Sequence, residues 1–590
     1  MSSSDSSSSE PDGLQVELFH PDSDREPGDT NIQALGFDVH PIVFPISLVM
    51  IAVFVAITIA LGDQAAAVYQ TLFDTVNSTF GWLYILATNL FLITLVFFGV
   101  SKYGDIKIGG VEAETEFSTF SWLSMLFSAG MGIGLMFFGV AEPMWHFGSS
   151  ASDFMVVPPV FGAEGGTAAA GVAALGQTIF HWGFHAWGIY GLVGLGLAFF
   201  SFNRGLPLTM RSIFWPLLGE RIYGWPGHVI DLLTVFATLF GLATSLGFGA
   251  AQVSSGLSFV FGDILGVASI SSGTMTQIAV IGAITAIATL SVAAGLEKGI
   301  SRLSRVNVVL MSVLLAFVII AGPTTYIFGA LGDGLAAYLG NFLEMSFMTG
   351  TVGGGASLGG YTVSGWIGAW TVFYWAWWIA WSPFVGIFIA RISKGRTIRE
   401  FVFGVLVTPV LFSALWFATM GGSAIFLELQ GGGGIAATLA NEGQTMAMFT
   451  LLSELPLTVV LSVIATLLVM TFFVTSSDSG SLVIDHLTSG GKHDVPKTQR
   501  IFWAVAEGTV AAVLLLGGGL GALQTATITT GLPFAILLVL MCYTMYLGID
   551  HEYEILIEEG FVSEREEVVA DVSGPSSEGS DSDSSPTVSD

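Results

Sequence analysis

Residues 117–147 read FSTFSWLSMLFSAGMGIGLMFFGVAEPMWHF. The run is long and apolar enough to cross a bilayer as a helix. Its middle argues against a regular one, because Gly130, Gly132 and Gly134 fall at every second position. Glycine weakens a helix and lets backbone or ligand approach closely. Small residues that serve helix packing usually stand four apart, whereas alternate glycines cover both faces. The spacing therefore predicts an unwound segment within a membrane span, a construction from which transporters build binding sites near the midplane.

The rest of the chain fits that setting. Its 590 residues are 53% hydrophobic and only 11% charged, outside the range of ordinary soluble proteins. Apolar runs predict twelve transmembrane helices, at 41–61, 79–100, 119–147, 171–200, 229–261, 274–295, 303–330, 366–390, 401–420, 455–475, 498–517 and 523–547. The expected molecule is an all-α polytopic membrane protein. A transporter domain, 41–547, lies between acidic tails at 1–40 and 548–590. No basic segment of a cleavable signal opens the chain. Residues 1–40 and 550–590 together hold 22 of the 45 acids and 2 of the 17 bases. Such Ser/Asp/Glu-rich ends are expected to be disordered and to aid solvation in a salty cytoplasm. Nothing is basic enough to suggest nucleic acid. The one cysteine, Cys542, excludes an intrachain disulfide.

Every base outside the tails follows an even-numbered span. Lys102 and Lys107 follow the second, Arg204, Arg211 and Arg221 the fourth, and Lys298, Arg302 and Arg305 the sixth. Arg391, Lys394, Arg396 and Arg399 follow the eighth, and Lys492, Lys497 and Arg500 the tenth. By the positive-inside rule both termini are cytoplasmic and the protein sits in the cell membrane.

The eighth span carries WAWWIAWSP at 375–383. Pro383 predicts a kink or break near 379–383. Interrupted helices five spans apart suggest two inverted five-helix repeats, spans 3–7 and 8–12. In the fourth span, Trp182, Trp187 and Tyr190 fall at helical angles of roughly 0°, 140° and 80°, so all three can face one cavity. Trp377, Trp378 and Trp381 cluster likewise. Aromatic faces suit a quaternary ammonium, which has diffuse positive charge and no hydrogen-bond donor. Interfacial-belt tryptophans sit at span ends, and Trp145, Trp366 and Trp370 read as belt or packing residues. Glu142 should face protein or water, in a structural or gating role. His181 and His185 read as hydrogen-bonded packing rather than a proton relay. The glycine-rich stretches 352–360 and 431–434 read as flexible connectors on outer loops, since neither has the flanks of a phosphate loop. No metal cluster, nucleophile elbow or paired catalytic acids point to an enzyme.

These residues carry a family resemblance. The motifs are AGMGIGLMFFGVAEP (129–143), FHWGFHAWGIY (180–190), TLFGLATSLGFGAAQ (238–252), FYWAWWIAWSPFVGIFIARISKGRTIREF (373–401) and FFVTSSDSGS (472–481). Over about 40–547 the sequence resembles the betaine/choline/carnitine transporters, closest in motif to sodium-coupled glycine betaine carriers. The resemblance implies a LeuT-like inverted-repeat fold. It implies a trimethylammonium cage of Trp182, Trp187, Tyr190, Trp377, Trp378 and Trp381. It adds the span-3 lining from Ala129 through Met131, Gly132 and Gly134, and Ser245 close to the substrate. Proton-coupled choline carriers typically have Asp where this chain has Gly134, so a zwitterion such as glycine betaine is implied. No organic cofactor is implied; sodium is the coupling ion. One sodium site maps onto Ser128, Met131, Phe472, Thr475 and Ser476. A second would use Thr238 and Phe384, but its other hydroxyl position is Leu242, which has no oxygen. That departure leaves a sodium-independent exchanger, or a proton-coupled choline or carnitine carrier, as the alternative. Asp478 is expected to orient the hydroxyl segment. Members are often homotrimers, to which span 7 and residues 331–350 would contribute. The short acidic C-terminal tail does not match the long basic helix of osmotically regulated members.

Overall fold

The computed structural model describes residues 26–561, apart from 130, 131, 268, 294–296 and 493. The acidic stretches 1–25 and 562–590 lie outside the described residues.

Among the described residues, the regular structure is helical apart from two small hairpins and one isolated bridge between Lys107 and Thr397. The principal helices are α1 (Val43–Leu61), α2 (Ala65–Val100), α3 (Thr119–Ala129), α4 (Ile133–His146), α5 (Ala168–His181), α6 (Phe184–Ala198) and α7 (Trp225–Leu257). They continue as α8 (Thr274–Ala293), α9 (Glu297–Ala321), α10 (Thr324–Gly340), α11 (Phe373–Ile392), α12 (Ile398–Leu429), α13 (Thr458–Thr488) and α14 (Lys497–Glu558). Among the described residues, nine helical stretches are long and apolar enough to cross a membrane. This is a polytopic membrane architecture. The most apolar window of 168–203 is 94% buried, and that of 363–392 is 83% buried, against 22% for 43–100. The aromatic-rich segments are therefore central. α1 and α2 turn Val49, Ile57, Ile59 and Ile93 outward, as a lipid-facing surface requires.

Helix continuity departs from the sequence reading in three places. The third span is interrupted as expected: α3 ends at Ala129 and α4 starts at Ile133, with Gly132 extended. The eighth span does not break at 379–383. Pro383 removes the donor that Ile379 O would receive, and Ser382 Oγ supplies one instead at 2.8 Å. α11 therefore runs on through the proline, and the argument from two paired breaks loses its second member. The fourth span breaks unexpectedly, between α5 and α6 at Trp182 and Gly183. Tyr338 Oη holds that break open by accepting from Phe184 N at 3.0 Å. The seventh span stops at Ala321, where Gly322 and Pro323 separate α9 from α10. α14 bends at Gly518 and Gly519, whose backbone is not helical.

The ends also differ. Residues 26–40 are not a loose tail: β1 (Ile32–Ala34) pairs with β2 (Phe37–Val39), antiparallel. Asp38 joins Lys492 at 2.6 Å, and Gln499 Oε1 accepts from Asp38 N at 2.9 Å. Burial raises the Asp38 carboxyl, but hydrogen bonds from Lys492, Asn31 and Gln33 outweigh it and hold it below the usual range. α14 continues to Glu558, past the expected boundary at 547, because buried Glu552 pairs with Arg204. The glycine-rich 352–360 connector is not free of structure: its Ser357–Leu358 (β3) pairs with Tyr361–Thr362 (β4) just beyond it.

The basic loops meet at one end of the bundle. Arg399 pairs with Asp105 at 3.1 Å, Lys102 with Asp550 at 3.7 Å, and Arg500 with Asp478 at 2.8 Å. These contacts join segments that follow the second, eighth, tenth and twelfth predicted spans.

Candidate functional site

Three of the expected cage residues, all tryptophans, come from α11. Successive residues of a helix turn by about 100°, so Trp377, Trp378 and Trp381 share a side. The Trp377 and Trp378 rings stack, with centroids 4.8 Å apart and planes 15° apart. From the α5–α6 break, Trp182 meets Trp378 edge to face at 4.8 Å. Tyr190 on α6 meets Trp378 at 6.2 Å and Trp187 at 5.4 Å. The break matters here, because it gives Trp182 a non-helical backbone (φ −106°, ψ 10°) that turns its ring out of the α5 register.

Each of four indole N–H groups is held by the protein. Trp182 donates to Glu142 Oε2 at 2.8 Å, and Trp378 to His181 O at 2.9 Å. Trp381 donates to Gly241 O at 2.8 Å, and Trp377 to Ser245 Oγ at 3.2 Å. Glu142 also accepts from Tyr374 Oη and lies 2.6 Å from His181 Nδ1.

One cavity of about 430 Å³ gathers most of the expected residues. Its aromatic part is lined by Trp182, Trp187, Tyr190, Trp377, Trp378 and Trp381, with Gly132, Gly134 and Ser245 beside them. Its hydroxyl part holds Ser128, Phe472, Thr475 and Ser476. Gly134 is required by space: a Cβ there would stand 2.7 Å from Trp182 and 3.1 Å from Trp377. Met131 lies outside the described residues, and Ala129 ends α3 at the same break.

The residues expected at a second ion site are divided. Phe384 lines the cavity and Thr238 does not. Thr238 Oγ1 is buried with no hydrogen-bond partner among the described residues. Leu242 packs against α13 so tightly that a Cβ on Gly480 would lie 2.1 Å from its Cδ2. Thr244 faces elsewhere, bonding Thr527 Oγ1 at 2.7 Å and Leu523 O at 3.0 Å.

Sequence reasoning missed the far end of the cavity, where Ser304, Asn307, Phe388 and Arg391 line the wall. A polar residue within the apolar stretch of α9 was the available signal at Asn307. His185 packs as expected: it stacks on Trp375 and bonds Asn89 Oδ1 at 3.1 Å. Trp366 and Trp370 are buried packing residues against His146.

A helical membrane bundle around one cavity, aromatic on one part and hydroxyl-lined on another, defines a small-molecule transporter. The comparisons with known proteins specify which kind. The chain belongs to the betaine/carnitine/choline transporter (BCCT) family, whose model matches residues 42–554. It is 44% identical to a glycine betaine/proline/choline transporter of Vibrio parahaemolyticus, over 90% of this chain and 94% of that one. It is 41% identical to a glycine betaine transporter of Acinetobacter baylyi, over 86% of this chain and 73% of that one. A probable glycine betaine transporter of Desulfitobacterium hafniense is 42% identical, over 85% and 95%. Like its relatives, this protein is a transporter and not an enzyme.

Proposed function

We propose that the protein imports glycine betaine, or a similar trimethylammonium compatible solute, across the cell membrane together with sodium. One observation carries the reading. The N–H groups of Trp182, Trp377, Trp378 and Trp381 are all committed to protein acceptors. What these residues offer a ligand is ring face, which attracts a quaternary ammonium and gives little to a cation that needs hydrogen-bond acceptors. The relatives named as glycine betaine transporters agree with that chemistry. The backbone N–H groups at the start of α4 would take the substrate carboxylate. Sodium would bind between the α3–α4 break and the hydroxyls of Thr475 and Ser476.

The same reading includes twelve spans in a LeuT-like arrangement of inverted repeats. It is supported by the two long apolar stretches that each accommodate two predicted spans, and by the third span divided into α3 and α4. The shared end of the basic loops supports cytoplasmic termini. Arg391, which follows the eighth predicted span, lines the cavity, and this supports access to it from the side of the basic loops. A homotrimer would cover Phe328, Leu339, Leu343 and Phe347, which are exposed.

Uptake of labelled glycine betaine into proteoliposomes tests the proposal, with an inward sodium gradient and then potassium at equal osmolarity. Accumulation only with sodium supports it. Sodium-indifferent uptake, speeded by a trimethylammonium compound inside, would establish the exchanger reading that Leu242 favours.

A further inference from the structure

We infer that Glu142 is a specificity-determining positioning residue, which strengthens the cage for cations by polarising the Trp182 ring through its indole N–H. This rests on the cage reading above and adds a residue that does not line the cavity.

Glu142 is wholly buried on α4, and its carboxylate is surrounded by donors. Trp182 Nε1 donates to Oε2 at 2.8 Å, and Tyr374 Oη donates to the same oxygen. His181 Nδ1 lies 2.6 Å from Oε1. The other ring nitrogen of His181 faces Gln177 Nε2 and Thr371 Oγ1, both at 3.0 Å. Acceptance there puts the imidazole proton on Nδ1, where it donates to Glu142. His146 Nε2 stands 3.5 Å from Oε1. Indole N–H can only donate, and with the His181 Nδ1 proton donating as well, both carboxyl oxygens of Glu142 act as acceptors. Among the described residues, no lysine or arginine forms an ion pair with Glu142.

The opposite edge of Trp182 reaches the cavity, with its Cη2 facing Gly134. A carboxylate hydrogen bond at the N–H edge of an indole pushes electron density toward the ring. A cation on the ring face is attracted by that density, and the low dielectric of a buried site preserves the effect. A ligand with an uncharged headgroup of equal shape, such as tert-butyl, gains nothing from it. Glu142 thus discriminates charge, while the rings supply shape.

The test compares glycine betaine with its carbon isostere, 3,3-dimethylbutanoate, as competing ligands of purified full-length protein. The wild type should prefer betaine. Glu142→Gln should lower the ratio of the two affinities by roughly threefold to tenfold. A purely structural role would weaken both ligands together and leave the ratio unchanged, overturning the inference. If Glu142→Gln does not fold, benzothienylalanine at position 182, which replaces the N–H by sulfur, provides the same comparison in an otherwise unaltered chain. An unchanged ratio there also overturns it. A wild type without preference for betaine would instead remove the cage reading itself.

Discussion

The aromatic and hydroxyl parts of the cavity are built on opposite principles. The cage is fixed by tertiary contacts: its indoles donate to residues on α4, α5 and α7, and its rings pack edge to face. The hydroxyl part satisfies itself locally. Thr475 Oγ1 donates to Thr471 O and Phe472 O, each at 3.1 Å, within its own helix. Such back-bonds are readily exchanged, since a hydroxyl rotates to suit. Under the proposed function, the comparison separates a preorganised cage for the organic cation from an adaptable part whose hydroxyls would become available to an ion.

The largest expected effect comes from the fixed part. Trp378→Leu removes the ring that Trp182, Tyr190 and Trp377 all touch. Betaine affinity should fall by about thirtyfold or more, with the protein still monodisperse in detergent; unchanged affinity would dissolve the cage. Next comes Gly134→Ala. The extra methyl collides with Trp182, so the Michaelis constant for betaine should rise by about tenfold. Gly134→Asp meets the same obstacle, and the structure predicts lost betaine transport before any gain of choline. Retained wild-type transport in either variant would show that the cage can give way.

A smaller, selective effect belongs to the adaptable part. Thr475→Val with Ser476→Ala should raise the sodium concentration for half-maximal uptake by about tenfold. Betaine affinity at saturating sodium should stay near wild type. Equal loss of both would merge the two parts into one site. Leu242→Ser should steepen the sodium dependence by placing an oxygen near orphaned Thr238, whereas Thr238→Val should leave it unaltered.

The smallest effect lies outside the membrane. His40 Nδ1 accepts from Ile42 N and Val43 N at 3.2 Å each, closing the start of α1. Burial, with nearby Arg211 and His228, pushes its pKa from 6.5 down to about 4. The folded state therefore resists a proton that the unfolded segment accepts below about 6.5. The contribution is full above that value and declines as pH falls toward 4. Hydrogen-exchange protection factors of residues 26–43 should fall over that window, and His40→Gln should flatten the dependence.

Much of the architecture was legible because bilayer crossing imposes long apolar runs, and because bases gather on one side. The break at Gly130–Gly134 was also legible, since glycine spacing is a local property. Pro383 misled for a tractable reason: the neighbouring Ser382 hydroxyl replaces the missing donor. The break at Trp182 and Gly183 had no comparable local warning, because Tyr338 supports it from a distant helix. The acidic composition of 1–40 likewise concealed a docked hairpin, held by Lys492 and Gln499.

Sequence alone determined the apolar spans, the family motifs and which residues carry the aromatic faces, because these follow from residue type and spacing. Only the tertiary structure decided that the tryptophans lend their N–H groups to the protein and their faces to the cavity. The physical reason is distance along the chain. The acceptors Glu142, His181 and Gly241 lie 40, 197 and 140 residues from the indoles they receive, and packing alone brings them together.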